Sequence, residues 1–197
     1  MARIGFKQAK YNQIDSKTGN YKAVTGKVPA FEKIVDEKFA PNFNTAELYG
    51  NDQLVESDYS FIDGTLDLTI CDDNDELLAE LLGSTVATDT ENGQISQNVE
   101  DNAPYVGYGH IITKVINGVR KYKVEFLPKV KFKAVSSEAT TRGSSVEFKT
   151  TALSGKVFAL EEDLNKGKAG DWEIHKTFDK YTEAEAYLES LLTPNNG

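Results

Sequence analysis

Two histidines, one cysteine and a cluster of acids are the residues whose types could do chemistry in this chain. Their spacing limits each of them. His110 closes the glycine-rich stretch "GYGH", His175 lies far along the chain from it, and Cys71 stands alone. A zinc site built from His and Cys therefore has too few ligands. The acid-rich "DDNDE" at 72–76 carries enough charge for calcium. It lacks the spaced ligands, mid-loop glycine and terminal glutamate of a calcium loop. "GYGH" leads into a strand pattern rather than a helix N-terminus, so it offers phosphate no cradle. There is no GxSxG elbow, P-loop, HExxH or GxGxxG after a strand, and nothing singles out a catalytic pair among 31 acids. The sequence nominates no catalytic, cofactor-binding or metal-binding residue, and the chain is expected not to be an enzyme.

The remaining chemistry is electrostatic. The net charge is −9, but its distribution is uneven. No Lys or Arg occurs from Phe39 to Thr113, while Asp and Glu occur fifteen times between Glu47 and Asp101; the next twenty residues hold seven basic side chains. Those residues, "KVINGVRKYKVEFLPKVKFK" at 114–133, also contain the strongest local structural signal. Asn117-Gly118 between two alternating runs predicts a type I′ hairpin turn, because both central positions need positive φ. The two-residue loop then sets Lys114 opposite Lys121, Thr113 opposite Tyr122 and Ile111 opposite Val124. One face becomes core, and Lys114, Lys121, Lys123, Lys129, Lys131 and Lys133 form a basic stripe on the other. Pro128 marks a bulge, a break or an edge, since it cannot donate to the ladder. Tyr122, Phe126 and Phe132 alternate away from the lysines, which a base-stacking platform would not do, and the acidic total opposes adhesion to nucleic acid.

A second hairpin is expected in "ESDYSFIDGTLDLTI", residues 56–70, turning at Asp63-Gly64. Tyr59, Phe61, Leu66 and Leu68 make its apolar side; Glu56, Asp58, Ser60, Asp67 and Thr69 make an acidic, hydroxyl-bearing one. A helix about 74–82 follows, capped by Asp72, Asp73 or Asn74 and stopped at Gly83. A short C-terminal helix about 183–192 is predicted from the capping-box pattern Thr182-x-x-Glu185. Alternating runs near 3–11, 21–35, 143–153 and 155–160 read as further strands, with turns at Thr18-Gly19-Asn20, Arg142-Gly143 and Ser154-Gly155. Two long irregular loops are expected at about 36–55 and 83–104; the first carries Phe39, Phe43 and Tyr49 and would order on meeting a partner.

The chain is mainly β by this count: a single domain over 1–197, an antiparallel β-sandwich or partly rolled barrel with two short helices. Hydrophobic content of 39% against 27% charged residues fits a globular core. No stretch has the roughly 18–20 apolar residues of a membrane span. "MARIGFKQAK" lacks the apolar run of a signal peptide, and the lone cysteine fits a reducing cytoplasm.

Taken in order, "MARIGFKQAKY", "YGNDQLVESDYSFIDGTLDLTI", "ELLAELLG", "APYVGYGHIITKVINGVRKYKVEFLPKVKFK" and "GDWEIHKTFDKYTEAEAYLESLL" resemble the major tail protein family of long, non-contractile-tailed bacteriophages of Gram-positive hosts. The resemblance implies a structural virion protein. Its subunits form rings, usually of six, stacked into the tail tube through which DNA is ejected along an acidic lumen. It also implies self-association, with tape measure, tail terminator and distal tail proteins as partners. Double-stranded DNA would pass without specific binding, and assembly would take place in the host cytoplasm. Under it, Glu56, Asp58, Ser60, Asp67 and Thr69 become candidate lumen-lining residues. The six lysines become an inter-subunit face meeting the acidic block of a neighbour, and Phe39, Phe43 and Tyr49 a ring-stacking loop. Two alternatives stand beside it: a monomeric β-sandwich binding module for a ligand such as carbohydrate, with the loop aromatics as its platform, and a ring-forming tail terminator or completion protein.

Overall fold

In the computed structural model, residues 2–31, 33–71, 75–86, 94–133 and 150–194 are described. The chain is mainly β. In order, it runs through β1 (Ala2–Gln13), β2 (Ala30–Phe31), β3 (Ile34–Gly50), β4 (Gln53–Ile70), α1 (Asp75–Leu82), β5 (Thr85–Val86), β6 (Ile95–Ser96), β7 (Tyr105–Ile116), β8 (Val119–Lys133), β9 (Thr151–Val157), β10 (Ile174–Phe178) and α2 (Tyr181–Leu192). An eight-stranded antiparallel sheet has the order β2-β1-β7-β8-β9-β4-β3, with β10 also paired to β8; β5 and β6 form a separate small ladder. The sheet does not close.

Its centre is buried on both sides, which is why β7 is continuously buried from Val106 to Ile112 rather than alternating. On one side, Tyr108, Val130, Phe132, Leu66 and Leu68 pack with Leu77, Leu78, Leu81 and Leu82 of α1. On the other, Ile111, Val124 and Phe126 pack beneath Ala184, Leu188, Leu191 and Leu192 of α2. The fully buried Lys10 is neutralised there by α2 carboxylates, with Nζ 2.5 Å from Glu189 and 3.4 Å from Glu185. Asn165 closes the end of that helix, its Nδ2 donating to the carbonyls of Ser190, Leu191 and Thr193.

The Asn117-Gly118 hairpin forms in the expected register. Both turn residues have positive φ, 51° and 78°. Lys114 faces Lys121, Thr113 faces Tyr122 and Ile111 faces Val124. Pro128 sits in a bulge: Tyr108 pairs with Leu127 but Val106 pairs with Val130, so Pro128 and Lys129 together oppose Gly107. Beyond that bulge β8 changes its other neighbour, from β10 over Tyr122–Phe126 to β9 over Val130–Lys133.

Asp63-Gly64 is not a turn. β4 runs straight through it and pairs along its length with β3, so the segment 36–55 is two strands joined at Asn51-Asp52, where φ is 51° and 59°. Ser154-Gly155 likewise lies inside β9. The reason is the same at both glycines. A Cβ on Gly64 would sit 2.5 Å from the Phe39 ring, and one on Gly155 would sit 2.9 Å from that of Phe132. These glycines make room for a ring on the neighbouring strand rather than for a reversal of the chain. The span 21–35, expected as a strand, is mostly loop, with an isolated bridge from Tyr21 to Ile14 before β2.

Gly83 ends α1 with φ 73°. The cap positions Asp72, Asp73 and Asn74, together with the Arg142-Gly143 turn, most of the 143–153 run and residues 87–93, lie outside the described residues. The capping box at Thr182 does not form. α2 begins two residues earlier, at Tyr181, with Lys180 at its N-cap and no side-chain cap.

Candidate functional site

The longest hairpin builds a projecting arm. Pro41 to Tyr49 on β3 and Gln53 to Ser60 on β4 are exposed along their whole length, and beyond Phe43 at the root the chain's own body covers neither side of this ribbon. Eight or nine paired residues extend roughly 25–30 Å at about 3.3 Å per residue. Of the eleven large hydrophobic side chains exposed among the described residues, six lie on it, Phe43, Leu48, Tyr49, Leu54, Val55 and Tyr59, and a seventh, Ile62, lies at its base. Leu48, Tyr49, Leu54 and Val55, each more than half exposed, cluster at the tip. An isolated apolar side chain at a surface is ordinary; a cluster of four on one projecting tip is not.

A bulge in the arm preserves the face that the sequence predicts. Asn42 pairs with Asp63 but Phe43 pairs with Phe61, leaving Ile62 unpaired. One extra residue inverts the alternation, as a two-residue turn would have done. Glu56, Asp58 and Ser60 before the bulge therefore share a face with Asp67 and Thr69 after it, although the Ser60–Asp67 pairing expected across a turn does not exist. The first three stand on the arm and are exposed. Asp67 and Thr69 lie on the sheet, where Asp67 accepts a hydrogen bond from Ser154 Oγ at 2.8 Å.

The lysine stripe, in contrast, is split. The Pro128 bulge inverts β8 midway, so Lys114, Lys121 and Lys123 lie on the α1 side of the sheet, and Lys129, Lys131 and Lys133 on the α2 side. Most are also engaged within the chain. Lys121 pairs with Asp179. Lys123 pairs with Glu125 at 2.5 Å and Lys129 with Glu161 at 2.7 Å. Lys131 donates to Asn102 Oδ1 at 2.6 Å. A single continuous basic face is not what this chain presents.

The second group of lysines adjoins the acids instead. Ladder partners run Tyr105–Lys131–Lys156–Thr65 across β7, β8, β9 and β4, and Lys133–Ser154–Asp67–Lys38 across β8, β9, β4 and β3. The expected acidic and basic surfaces are thus opposite ends of one open surface, which α2 leaves uncovered because it packs on β1, β7, β8 and β10.

At the arm's root the structure assembles residues that the sequence did not single out. Trp172, the only tryptophan, stacks on Phe61 with ring centroids 4.6 Å apart and planes 8° apart. It also meets Phe39 and Phe43 at 5.8 and 6.2 Å. Of the three residues expected in a stacking loop, Phe39 and Phe43 therefore belong to this root cluster and only Tyr49 reaches the tip. Nearby, Glu37 on β3 accepts a hydrogen bond from the Tyr108 hydroxyl at 2.7 Å and lies 3.1 Å from Nδ1 of His110. Nε2 of His110 faces Glu125 at 3.4 Å, and its ring stacks on Phe6. These contacts join β3 to β7 across the α1 side and roll the open sheet toward a barrel. Burial and the Glu37 carboxylate push the Tyr108 hydroxyl well above its ordinary range. Glu125 is driven upward by burial, but bonds from His110 and Lys123 outweigh this and hold it at about 2. Period-two patterning found His110 and Glu125 on their strands; Glu37 was hidden because its segment read as a loop.

Among the described residues no group of three His, Cys, Asp or Glu is placed to hold a metal ion. Cys71 is exposed. No described helix is long and apolar enough to cross a membrane. No protein-family model and no curated protein matches the chain.

Proposed function

We propose that this chain is the repeating subunit of a phage tail tube, assembling into rings, six-membered by family resemblance, that stack into a conduit for DNA ejection. The arm is the observation that carries the proposal. It places large apolar side chains in water on a ribbon with no third strand, packed by the chain only at its root, where Phe43 meets Trp172, an arrangement marginal by itself and stabilised by a partner. The outer edge of β3, at the end of the sheet, offers a further 17-residue ladder to a neighbouring strand. Fully burying a large apolar side chain contributes about 1.5–3 kcal/mol, and these side chains are only about half exposed to begin with, so the arm offers roughly 10 kcal/mol gross. Association costs about 4–15 kcal/mol in lost freedom. One arm thus gives a weak dimer, whereas a ring or filament in which each copy gives and receives an arm is held by many such contacts.

In such a tube Asp67 and Thr69, on the sheet, belong to the DNA-facing wall. Glu56, Asp58 and Ser60, on the arm, reach toward the next subunit. The tape measure, terminator and distal tail proteins remain partners through the family resemblance, as does assembly in the host cytoplasm. No enzymatic step is assigned. The competing ligand-binding reading wants free aromatic faces, and the Trp172 cluster instead packs ring against ring.

Sedimentation velocity over a concentration series tests the proposal. The unaltered chain should form species of six copies or more as concentration rises. A variant carrying Leu48→Ser, Leu54→Ser and Val55→Ser should remain a folded monomer. A monomeric unaltered chain at every concentration would refute the reading.

A further inference from the structure

We infer that the acidic face of the arm seats on the surface formed by Tyr105, Lys131, Lys133 and Lys156 of a second copy of this chain, and not on Lys114, Lys121 and Lys123. The inference rests on the assembly reading and adds the partner surface to it.

Three observations choose between the two lysine groups. First, Lys121 and Lys123 are each matched by a carboxylate, and Lys123 is tied through Glu125 to buried His110. Moving Lys123 would break a network that holds the sheet in its rolled shape, whereas Lys121 holds only the exposed Asp179. Among the described residues Lys131 and Lys133 have no carboxylate partner; Lys131 is met only by the neutral Asn102. Second, the platform concentrates positive charge in a chain of net −9. Of Lys129, Lys131, Lys133 and Lys156, two are ion-paired among the described residues, Lys129 with Glu161 and Lys156 with Asp63, and Asp101 lines the hollow that Lys131 and Lys133 share. Both of those pairs are partly open to water and contribute little by themselves. Third, the platform has an apolar floor. Tyr105 is partly exposed, packs edge-on against Phe158, and has the ammonium groups of Lys129 and Lys131 at 4.7 and 5.3 Å from its ring centroid.

The arm is the complement. Glu47, Asp52, Glu56 and Asp58 lie on it with no Lys or Arg anywhere from Phe39 to Thr113, and Leu48 pairs with Glu56 on the acidic face. Carboxylates flanking an aliphatic side chain match ammonium groups flanking a ring. The arm's body end shares the open surface with the platform, so a copy cannot satisfy its own platform without folding its arm back through β4. A second copy can.

The test exploits the fact that every copy carries both halves. Two variants are made: Lys131→Glu with Lys133→Glu, and Glu56→Lys with Asp58→Lys. Each alone presents like charges at every junction, and its threshold concentration for assembly should rise at least tenfold by light scattering at low salt. Mixed one to one, the arm of each matches the platform of the other, and the threshold should return toward that of the unaltered chain; so should that of the single chain carrying all four changes. Reversed variants that assemble like the unaltered chain would overturn this contact while leaving the assembly reading intact. So would variants that fail alone and also fail when mixed. An unaltered chain that never assembles would overturn both.

Discussion

Among single residues, the network around His110 has the clearest energetic consequences. Unfolded, a glutamate takes up its proton near 4.5, whereas Glu125 in the folded chain does so at about 2. The stability it contributes is therefore complete above about pH 4.5 and is lost as pH falls toward 2. Replacing Glu125 with Gln should flatten the acid limb of a plot of Tm against pH, and an unchanged limb would remove the network from the acid response. The opposite limb belongs to tyrosines. Burial raises Tyr21, Tyr11 and Tyr108 above 10, the latter two with help from Glu80 and Glu37. Their stabilisation is whole below pH 10 and falls as pH rises beyond it, so phenolate absorbance should appear together with unfolding rather than before it. Gly64 supplies a packing test. Gly64→Ala forces a Cβ against the Phe39 ring, and overpacking of this kind costs about 1–3 kcal/mol by chemical denaturation.

The behaviour of elements turns on bulges and turns. Asn117-Gly118 and Asp63-Gly64 are the same signal in sequence, and only the first reverses the chain. A dipeptide tolerant of positive φ is also a dipeptide that lets a ring approach the backbone, and one sequence cannot tell the two apart. The acid face was legible despite that error because a two-residue turn and a one-residue bulge invert alternation alike. The lysine face was not, because a proline signals an irregularity without saying whether the strand breaks, ends or gains the one residue that moves every later side chain to the other side. The true turn, Asn51-Asp52, was obscured by a pair without glycine. Asp52 holds φ 59° there at some cost. Asp52→Gly should leave the fold intact and raise Tm slightly, by the equivalent of about 0.5–1 kcal/mol. A fall in Tm would mean that the Asp52 side chain itself holds the tip. Trp172 reports on the same element: stacked on Phe61 at the arm's root, its fluorescence should shift when the arm finds a partner.

For the whole molecule, the mainly β class, the antiparallel sheet and the two helices follow from patterning, because alternation and the leucine stripes are local properties. The order of strands is not local. Nothing in the sequence says that β4 lies between β3 and β9, or that β8 exchanges β10 for β9 at a proline. The consequence is that charges well separated along the chain share one surface, with an acidic arm at one end and a lysine platform at the other. A molecule of that polarity, carrying its apolar side chains on a projecting ribbon, has the surface that the proposed self-assembly requires. Electron microscopy of the purified chain in negative stain, across concentration at low and high salt, examines that claim most directly. The account predicts rings or hollow tubes that appear with concentration and loosen as salt screens the arm–platform contact. A field of single particles at every concentration and salt would contradict it.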